Sequence, residues 1–308
     1  MTLPRRAGSL VLVALSMALA RGDPARSAII GEPTANDTVK RVDSPHCGRA
    51  QFRVVLDVGH TAEAPGAMSA RRVPEYDFNL RLAKHIERNL IDAGFGRTVL
   101  LVTNGPTRRG LVKRVARANV ASANLFLSIH HDSVPNAFLK NWDYEGKPSR
   151  FSDHFTGHSI FVSYDNSDRR GSLLFAKLLG NQLKVRGLQY TSHYTDKNMG
   201  HRRRELVDAE AGVYRYDQLF VLKRTHMPAV LLEAGPIIHR DEELALAGEE
   251  RQALISSAAT DAVEEFCGAR SPGKSDPGVA RRRQAPHGPQ RAVRPGLRTG
   301  QTGQIERR

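Results

Sequence analysis

The chain has 308 residues, of which 40% are hydrophobic, and a formal net charge of +14. This length and apolar content allow one large α/β domain or two small ones. No segment beyond the N-terminal region is long and apolar enough to span a bilayer, which excludes an integral membrane domain there. The positive charge implies attraction to polyanions, but composition does not distinguish nucleic acid, anionic lipid and acidic polymers.

The N-terminus has the pattern of an export signal. Arg5 and Arg6 precede the apolar run 9–20, which ends in Ala-Leu-Ala, a cleavage-site pattern. We therefore predict a signal peptide over residues 1–20 and export to the periplasm or cell envelope. An uncleaved anchor is the alternative, although the run is short for a membrane span. Residues 21–50 are predicted to be a polar linker.

The apolar pattern predicts elements in the following order. Strands are expected at 52–59, 97–103, 125–132, 159–164, 219–222 and 229–234, and helices from the N-cap Asp77 to Gly94 and at 110–122, 172–185 and 241–266. Residues 135–158 are expected to form an inserted loop, and 191–217 a charged, irregular segment. Strands that alternate with helices predict one α/β domain over 51–267, with a mostly parallel twisted sheet and helices on both faces.

Three of the predicted strands end in side chains that bind metals or transfer protons. These runs are VVLDVGH (54–60), LFLSIHHD (125–132) and AVLLEAG (229–235). Ligands bind at the carboxyl ends of strands in open α/β sheets, so His60, Glu233 and one histidine of the pair at 130 and 131 are candidates. Only one histidine of that pair can face the site, because side chains alternate along a strand.

Catalytic zinc usually takes three protein ligands and keeps a fourth position for water. The candidate ligands are His60, Glu75 and His130, with Glu233 beside the water. Each also has an ordinary interpretation: His60 as a hydrogen-bonding loop residue, and Glu75 as an acid favoured by the dipole at a helix start. Glu233 is harder to explain in this way, because a carboxylate at the end of a buried strand is costly unless it is paired, protonated or functional.

The two cysteines, Cys47 and Cys267, flank the predicted domain. An oxidising compartment would allow a disulfide between them, but the sequence does not give their separation in space. Residues 268–308 carry ten basic residues against two acids and almost no large apolar side chain, so a disordered basic tail is predicted. Its expected partner is an anionic wall or membrane. Nucleic acid is the less favoured partner because of the predicted export.

Residues 52–266 resemble the zinc-dependent N-acetylmuramoyl-L-alanine amidases that cleave bacterial peptidoglycan. Four ordered blocks carry the resemblance: Asp57-Val58-Gly59-His60, then Pro65-Gly66-Ala67 with Glu75, then Arg114 to His130 by way of Ala118-Asn119, and Val221-Leu222-Lys223 with the run 227–235. The chain departs from the family pattern at Val58, at Thr61-Ala62, at Ala64 and at Asp132. None of these departures removes a candidate ligand.

The resemblance implies zinc as the cofactor, with His60, Glu75 and His130 as its ligands and Glu233 as the catalytic carboxylate. The implied reaction is hydrolysis of the amide between N-acetylmuramic acid and L-alanine, with peptidoglycan or muropeptides as substrate. The alternative is a non-catalytic peptidoglycan-binding protein that retains the fold. Some relatives have a helix that blocks the site until an activator protein moves it. Glu205, Asp208 or Glu210 could do the same here, but a solvated charged loop is the favoured interpretation.

Overall fold

A seven-stranded sheet lies at the centre of the structure, a computed structural model in which residues 47–270 are described. Its strand order is β2-β1-β3-β9-β6-β8-β7, and β4 and β5 form a separate hairpin. The strands are β1 (Val54–Val58), β2 (Val99–Leu101), β3 (Leu125–Asp132), β4 (Lys140–Tyr144), β5 (Lys147–Phe151), β6 (Ser159–Val162), β7 (Glu205–Asp208), β8 (Val213–Arg215) and β9 (Ala229–Pro236). Neighbouring strands of the large sheet run parallel except at β6–β9 and β7–β8, which confirms the predicted α/β domain with a mostly parallel sheet.

Helices cover both faces of this sheet. They are α1 (Glu75–Asp92), α2 (Thr107–Val120), α3 (Arg169–Val185), α4 (Phe220–Arg224), α5 (Arg240–Ala247) and α6 (Glu249–Arg270). One apolar core contains side chains from α1, α3 and α6, and a second contains side chains from α2 and α4. Within residues 47–270, no helix combines the length and the apolarity that a membrane span requires.

Alternate residues of the central strands enter opposite cores. Phe126 of β3 and Leu231 of β9 belong to the core beside α2 and α4. Because side chains alternate along a strand, His130 and Glu233 project from that same face. They are also register partners across the parallel β3–β9 pair. Strand pairing thus places these two candidate residues side by side.

Two boundaries differ from the predicted ones. The first helix starts at Glu75 after Pro74, so Asp77 lies in its first turn and is not its N-cap. A backbone hydrogen bond from Glu75 N to Ala67 O, 2.8 Å long, fixes this earlier start. The predicted closing helix 241–266 is two helices, α5 and α6, separated at Gly248.

The predicted strand at 219–222 was wrong, because α4 occupies that position. Its apolar residues Val221 and Leu222 pack in the core beside α2. A run of four apolar residues does not distinguish a strand from one helical turn.

The two segments expected to be irregular contain strands. Residues 135–158 include the hairpin β4–β5, in which half-buried Trp142, Tyr144 and Phe151 alternate with exposed polar residues. Residues 191–217 include β7 and β8 as well as short 3₁₀ turns at His193–Thr195 and Lys197–Arg202. The hairpin's period-two signal was missed because most of its residues are polar.

Cys47 and Cys267 form a disulfide, with their Cα atoms 5.2 Å apart across 220 residues of sequence. It joins the residues before β1 to α6. The predicted signal peptide at 1–20, nearly all of the linker at 21–50 and most of the tail at 268–308 lie outside the described residues. Helix α6 extends to Arg270, so the first residues of the predicted tail are helical.

Candidate metal centre and active site

Three side chains from different elements meet at the carboxyl ends of β1 and β3. His60 follows β1, Glu75 begins α1 and His130 lies in β3. Glu75 Oε2 is 3.0 Å from His60 Nε2, and Glu75 Oε1 is 3.0 Å from His130 Nδ1. One ligand atom from each residue lies within 4.8 Å of the other two, so this group can hold a metal ion.

The Glu75 carboxylate is buried and accepts further hydrogen bonds. Ala67 N donates to Oε2 over 3.0 Å, and Asn79 Nδ2 donates to Oε1 over 3.2 Å. Burial by itself would raise the pKa of Glu75. Hydrogen bonds from His130 and His60, together with their charge, instead hold that pKa well below its usual range. Glu75 is therefore an anion, as a metal ligand must be.

The backbone of His60 is held in a conformation that few residues adopt. Its φ is +65°, in the left-handed region. The buried Arg114 guanidinium donates to the His60 carbonyl and lies 3.5 Å from Asp57 Oδ2. Asp57 also accepts a hydrogen bond of 2.7 Å from Ser128 Oγ. This contact chain offsets the backbone strain and fixes the direction of the imidazole.

The arrangement fits a metal ion on structural grounds. Two histidines and a glutamate are the donor set of many catalytic zinc sites. Glycines make room for them, because a Cβ at Gly59 would lie 2.6 Å from the His130 ring. A Cβ at Gly66 would collide with Glu75 Oε2. In addition, the buried Oε2 of Glu233 has no hydrogen-bond partner among the described residues, as expected for an atom that faces a metal-activated water.

Glu233 differs from Glu75 in its titration. Burial raises the pKa of Glu233 well above its usual range, and the nearby charges of Asp132 and Glu75 raise it further. Burial and neighbouring acids favour the protonated form of Glu233, whereas hydrogen bonds from two histidines favour the anion at Glu75. A group poised in this way can accept a proton and return it.

His131 faces away from the cluster, as strand alternation requires. Its Nδ1 lies 2.8 Å from Asn79 Oδ1, and its ring packs on Phe78. Burial lowers the pKa of His131 to about 3, so the ring is neutral. Through Asn79, which also donates to Glu75, His131 helps to orient the ligand carboxylate.

A second polar group was not predicted from the sequence. The buried Asp132 accepts a 2.7 Å hydrogen bond from Tyr194 Oη and lies 3.1 Å from His193 Nε2. Arg202 Nη2 contacts its other oxygen at 3.4 Å. Two features of the sequence could have indicated unpredicted site residues. Asp132 departs from the family pattern, and Arg114 lies in the block before His130. The partners of Asp132 come from the segment 191–217, which has no periodicity to guide a prediction.

The three acidic residues that could have blocked the site form ion pairs away from it. Asp208 pairs with Lys177 at 2.9 Å, Glu210 with Lys184 at 3.1 Å and Glu205 with Arg215 at 3.3 Å. The segment 191–217 reaches the site with Tyr194 and Arg202, and these three acids form surface ion pairs as a solvated charged segment would.

A mostly parallel α/β sheet thus carries, at its strand ends, a His–Glu–His group that can hold a metal ion and a carboxyl group whose Oε2 is buried. A family model described as N-acetylmuramoyl-L-alanine amidase matches residues 54–265, more than half of the chain. The chain belongs to this family, whose members are hydrolases that act on peptidoglycan.

Individual relatives are distant. The N-acetylmuramoyl-L-alanine amidase AmiC of Neisseria meningitidis serogroup B is 23% identical over 261 residues, which cover 81% of this chain and 61% of that relative. The chain thus spans less than two thirds of that amidase. Among solved structures, the N-acetylmuramyl-L-alanine amidase Ami1 of Mycobacterium smegmatis has a TM-score of 0.56 at 19% identity, over 71% of this chain and 98% of that one.

A second solved structure is the CwlD amidase of Clostridioides difficile in complex with the GerS lipoprotein. It has a TM-score of 0.51 at 20% identity and covers 71% of this chain and 99% of that one. At these identities the likeness to the two structures shows a shared fold.

Proposed function

We propose that this protein hydrolyses the amide bond between N-acetylmuramic acid and L-alanine in peptidoglycan, with zinc held by His60, Glu75 and His130. The observation that carries the proposal is the convergence of these three ligand atoms within 4.8 Å, beside Glu233, whose Oε2 is buried. Family membership supports the substrate. The donor set supports zinc over harder cations, which prefer oxygen ligands alone.

The residues of the site have separate roles in this mechanism. Zinc supplies Lewis-acid activation of water and of the scissile carbonyl. Glu233 takes a proton from the attacking water and delivers it to the leaving amine. Its surroundings favour the protonated form, which makes the first transfer, uptake of the proton from water, more favourable. Asn79 orients Glu75, and Arg114 fixes the backbone of His60.

The alternative, a non-catalytic peptidoglycan-binding protein, rests on the altered loop after His60. That loop has a structural explanation. Thr61 Oγ1 donates to Gly105 O over 2.9 Å and accepts from Ala64 N over 3.0 Å, so the substituted residues hold the loop together. Glu233 is present as well, and its buried Oε2 has no hydrogen-bond partner between residues 47 and 270. Hydrolysis is therefore the better-supported function.

Export and wall binding belong to the same proposal. The disulfide is typical of an oxidising compartment and so supports the predicted export to the periplasm or envelope. The basic tail at 268–308 remains a predicted contact for anionic wall or membrane. An activator protein also remains a prediction, supported only by the fold shared with CwlD.

The test is product analysis on defined muropeptides with Glu233→Gln. The wild type is expected to release a peptide with a free N-terminal L-alanine and to contain zinc. The variant should keep zinc and lose about 10²- to 10⁴-fold in turnover, because general acid-base transfer is removed. Glu242→Gln, at a half-buried glutamate that pairs with Arg251, should retain turnover. Binding of wall by the wild type without product would favour the non-catalytic alternative.

A further inference from the structure

A cavity of about 320 Å³ lies beside Glu233, on the side of β6 and β8. Acidic, basic and aromatic side chains line it: Glu233, His201, Arg202, Arg204, Tyr194 and Tyr216. Glu233 is its only acidic residue within the described part of the chain. With two guanidinium groups and one carboxyl group, the cavity favours an anion.

Arg202 already has a carboxylate partner within the protein. Its Nη2 donates to Ser133 O over 2.9 Å and lies 3.4 Å from Asp132 Oδ1. Asp132 is buried, whereas the Arg202 side chain is 32% exposed. Arg202 therefore supports Asp132 and leaves little unbalanced charge in the cavity.

Arg204 has no such partner. Its guanidinium lies 3.6 Å from the centre of the Tyr216 ring, and Nη1 donates to the carbonyls of His201 and Arg203. Between residues 47 and 270 no carboxylate forms an ion pair with it, and its buried Nε has no hydrogen-bond partner. The guanidinium thus contacts a ring and two carbonyls, while no acid among the described residues balances its charge. A planar guanidinium fixed in this way is prepared for a carboxylate.

We propose that Arg204 binds the free carboxylate of an acidic peptide, on the residue that follows the L-alanine of the substrate. This inference rests on the proposed function. If Glu233 protonates the leaving amine, the N-terminus of the released peptide lies beside Glu233. The cavity that Glu233 lines then receives the peptide residue that follows L-alanine. Tyr216 provides an apolar wall beneath the guanidinium, and the contacts of Arg204 with this ring and two carbonyls reduce the entropy cost of binding.

Two substrates that differ in one group test the proposal. One is N-acetylmuramoyl-L-alanyl-γ-D-glutamate, with a free carboxylate, and the other is its amide, N-acetylmuramoyl-L-alanyl-D-isoglutamine. The wild type should show about 10- to 100-fold higher kcat/KM on the acid, the range for a hydrogen bond to a charged group. Arg204→Gln should bring the ratio near one, mainly through KM, and Arg204→Lys should keep part of it. Arg203→Gln, at an exposed neighbour, should keep the full ratio.

Binding of the corresponding peptides, L-alanyl-γ-D-glutamate and L-alanyl-D-isoglutamine, is measured by calorimetry in parallel. Equal kcat/KM values on the two substrates, or a preference that survives Arg204→Gln, would overturn the proposal. The wild-type comparison alone can refute it, so a folding defect in the variant does not protect it. If the wild type binds the acidic peptide selectively but cleaves neither substrate, the amidase proposal fails and the carboxylate site stands.

Discussion

The sheet has two halves that meet at the β9–β6 pair, and they contribute differently to the site. The parallel half, β2-β1-β3-β9, presents His60, His130 and Glu233 at its strand ends, with Glu75 on the first helix. The other half, β6-β8-β7, is extended by irregular chain that brings Tyr194 and Arg202 to Asp132. One half supplies the proposed metal ligands and the proposed proton carrier, and the other supplies cations and hydroxyl groups.

The comparison teaches how one site holds two glutamates in opposite states. Glu75 lies among donors, and its pKa is lowered, while burial and neighbouring acids raise the pKa of Glu233. Pairs of carboxyl groups driven apart in this way mark a division of chemical roles. Here both glutamates come from the parallel half. The second half contributes Arg202, which pairs with Asp132 beside Glu233.

The largest expected effect follows from damage to the parallel half. Glu75→Gln removes the anion that both imidazoles contact, so zinc should be lost and kcat/KM should fall by about 10³-fold or more. Asp77→Asn, at an exposed acid in the same helical turn, is the matched control. Elemental analysis and muropeptide hydrolysis measure both effects. One zinc per chain in the Glu75 variant would contradict the assigned ligand role.

The disulfide tests whether the halves unfold together. Helix α6, which carries Cys267, packs against α1 on the parallel half and against α3, which covers β6. Replacing both cysteines with serine should lower the free energy of unfolding by about 2–5 kcal/mol. Denaturant unfolding, followed by circular dichroism and by zinc release, should show a single earlier transition. Two separated transitions would mean that the halves are independent.

A pH effect of intermediate size belongs to the second half. His158, just before β6, is buried, and both of its ring nitrogens lack hydrogen-bond partners among the described residues. Burial lowers the pKa of His158 from 6.5 to about 4; the backbone of Gln189 opposes this shift and the charge of Arg251 adds to it. The unfolded state therefore binds more protons between these values, and stability present above pH 6.5 is lost as the pH falls toward 4.

His158→Gln should remove about 2–3 kcal/mol of the stability difference between pH 7 and pH 4.5. Guanidinium unfolding of both proteins at the two pH values measures this. His85→Gln, at a histidine outside the buried core, is the control. An identical loss of stability in the wild type and the His158 variant would show that His158 is not responsible.

The smallest expected effect concerns the contact between the halves. Tyr194→Phe removes the hydroxyl that donates to Asp132 over 2.7 Å, which should cost about 1 kcal/mol of unfolding free energy. Tyr164→Phe is a suitable control, because its ring contacts Arg169 and Arg215 while its hydroxyl forms no hydrogen bond within the described chain. If the two variants are equally stable, the Tyr194–Asp132 bond contributes nothing net.

The two halves also differ in how far sequence could predict them. Long apolar runs made β1, β3 and β9 recognisable, and the parallel arrangement placed the candidates His60, His130 and Glu233 at one edge. Short elements could not be recognised in this way, because α4 has the composition of a strand and the hairpin β4–β5 is mostly polar. Periodicity reports local burial and gives no information about contacts between distant polar residues.

That limit explains why part of the candidate site was missed. Arg114 reaches the His60 carbonyl from 54 residues away, and Tyr194 reaches Asp132 from 62 residues away. Arg202 and Arg204 lie in or beside a 3₁₀ turn whose position depends on the packed sheet. Only the fold itself brings these side chains to Glu233.

The bond between Cys47 and Cys267 also has a mechanical consequence. Both flanks of the catalytic domain are covalently linked at a point where their Cα atoms are 5.2 Å apart. Tension that enters before Cys47 and leaves after Cys267 is transmitted through two sulfur atoms and bypasses every strand between them. Stretching the chain from its two ends would therefore leave the proposed metal ligands undisturbed until the disulfide is reduced.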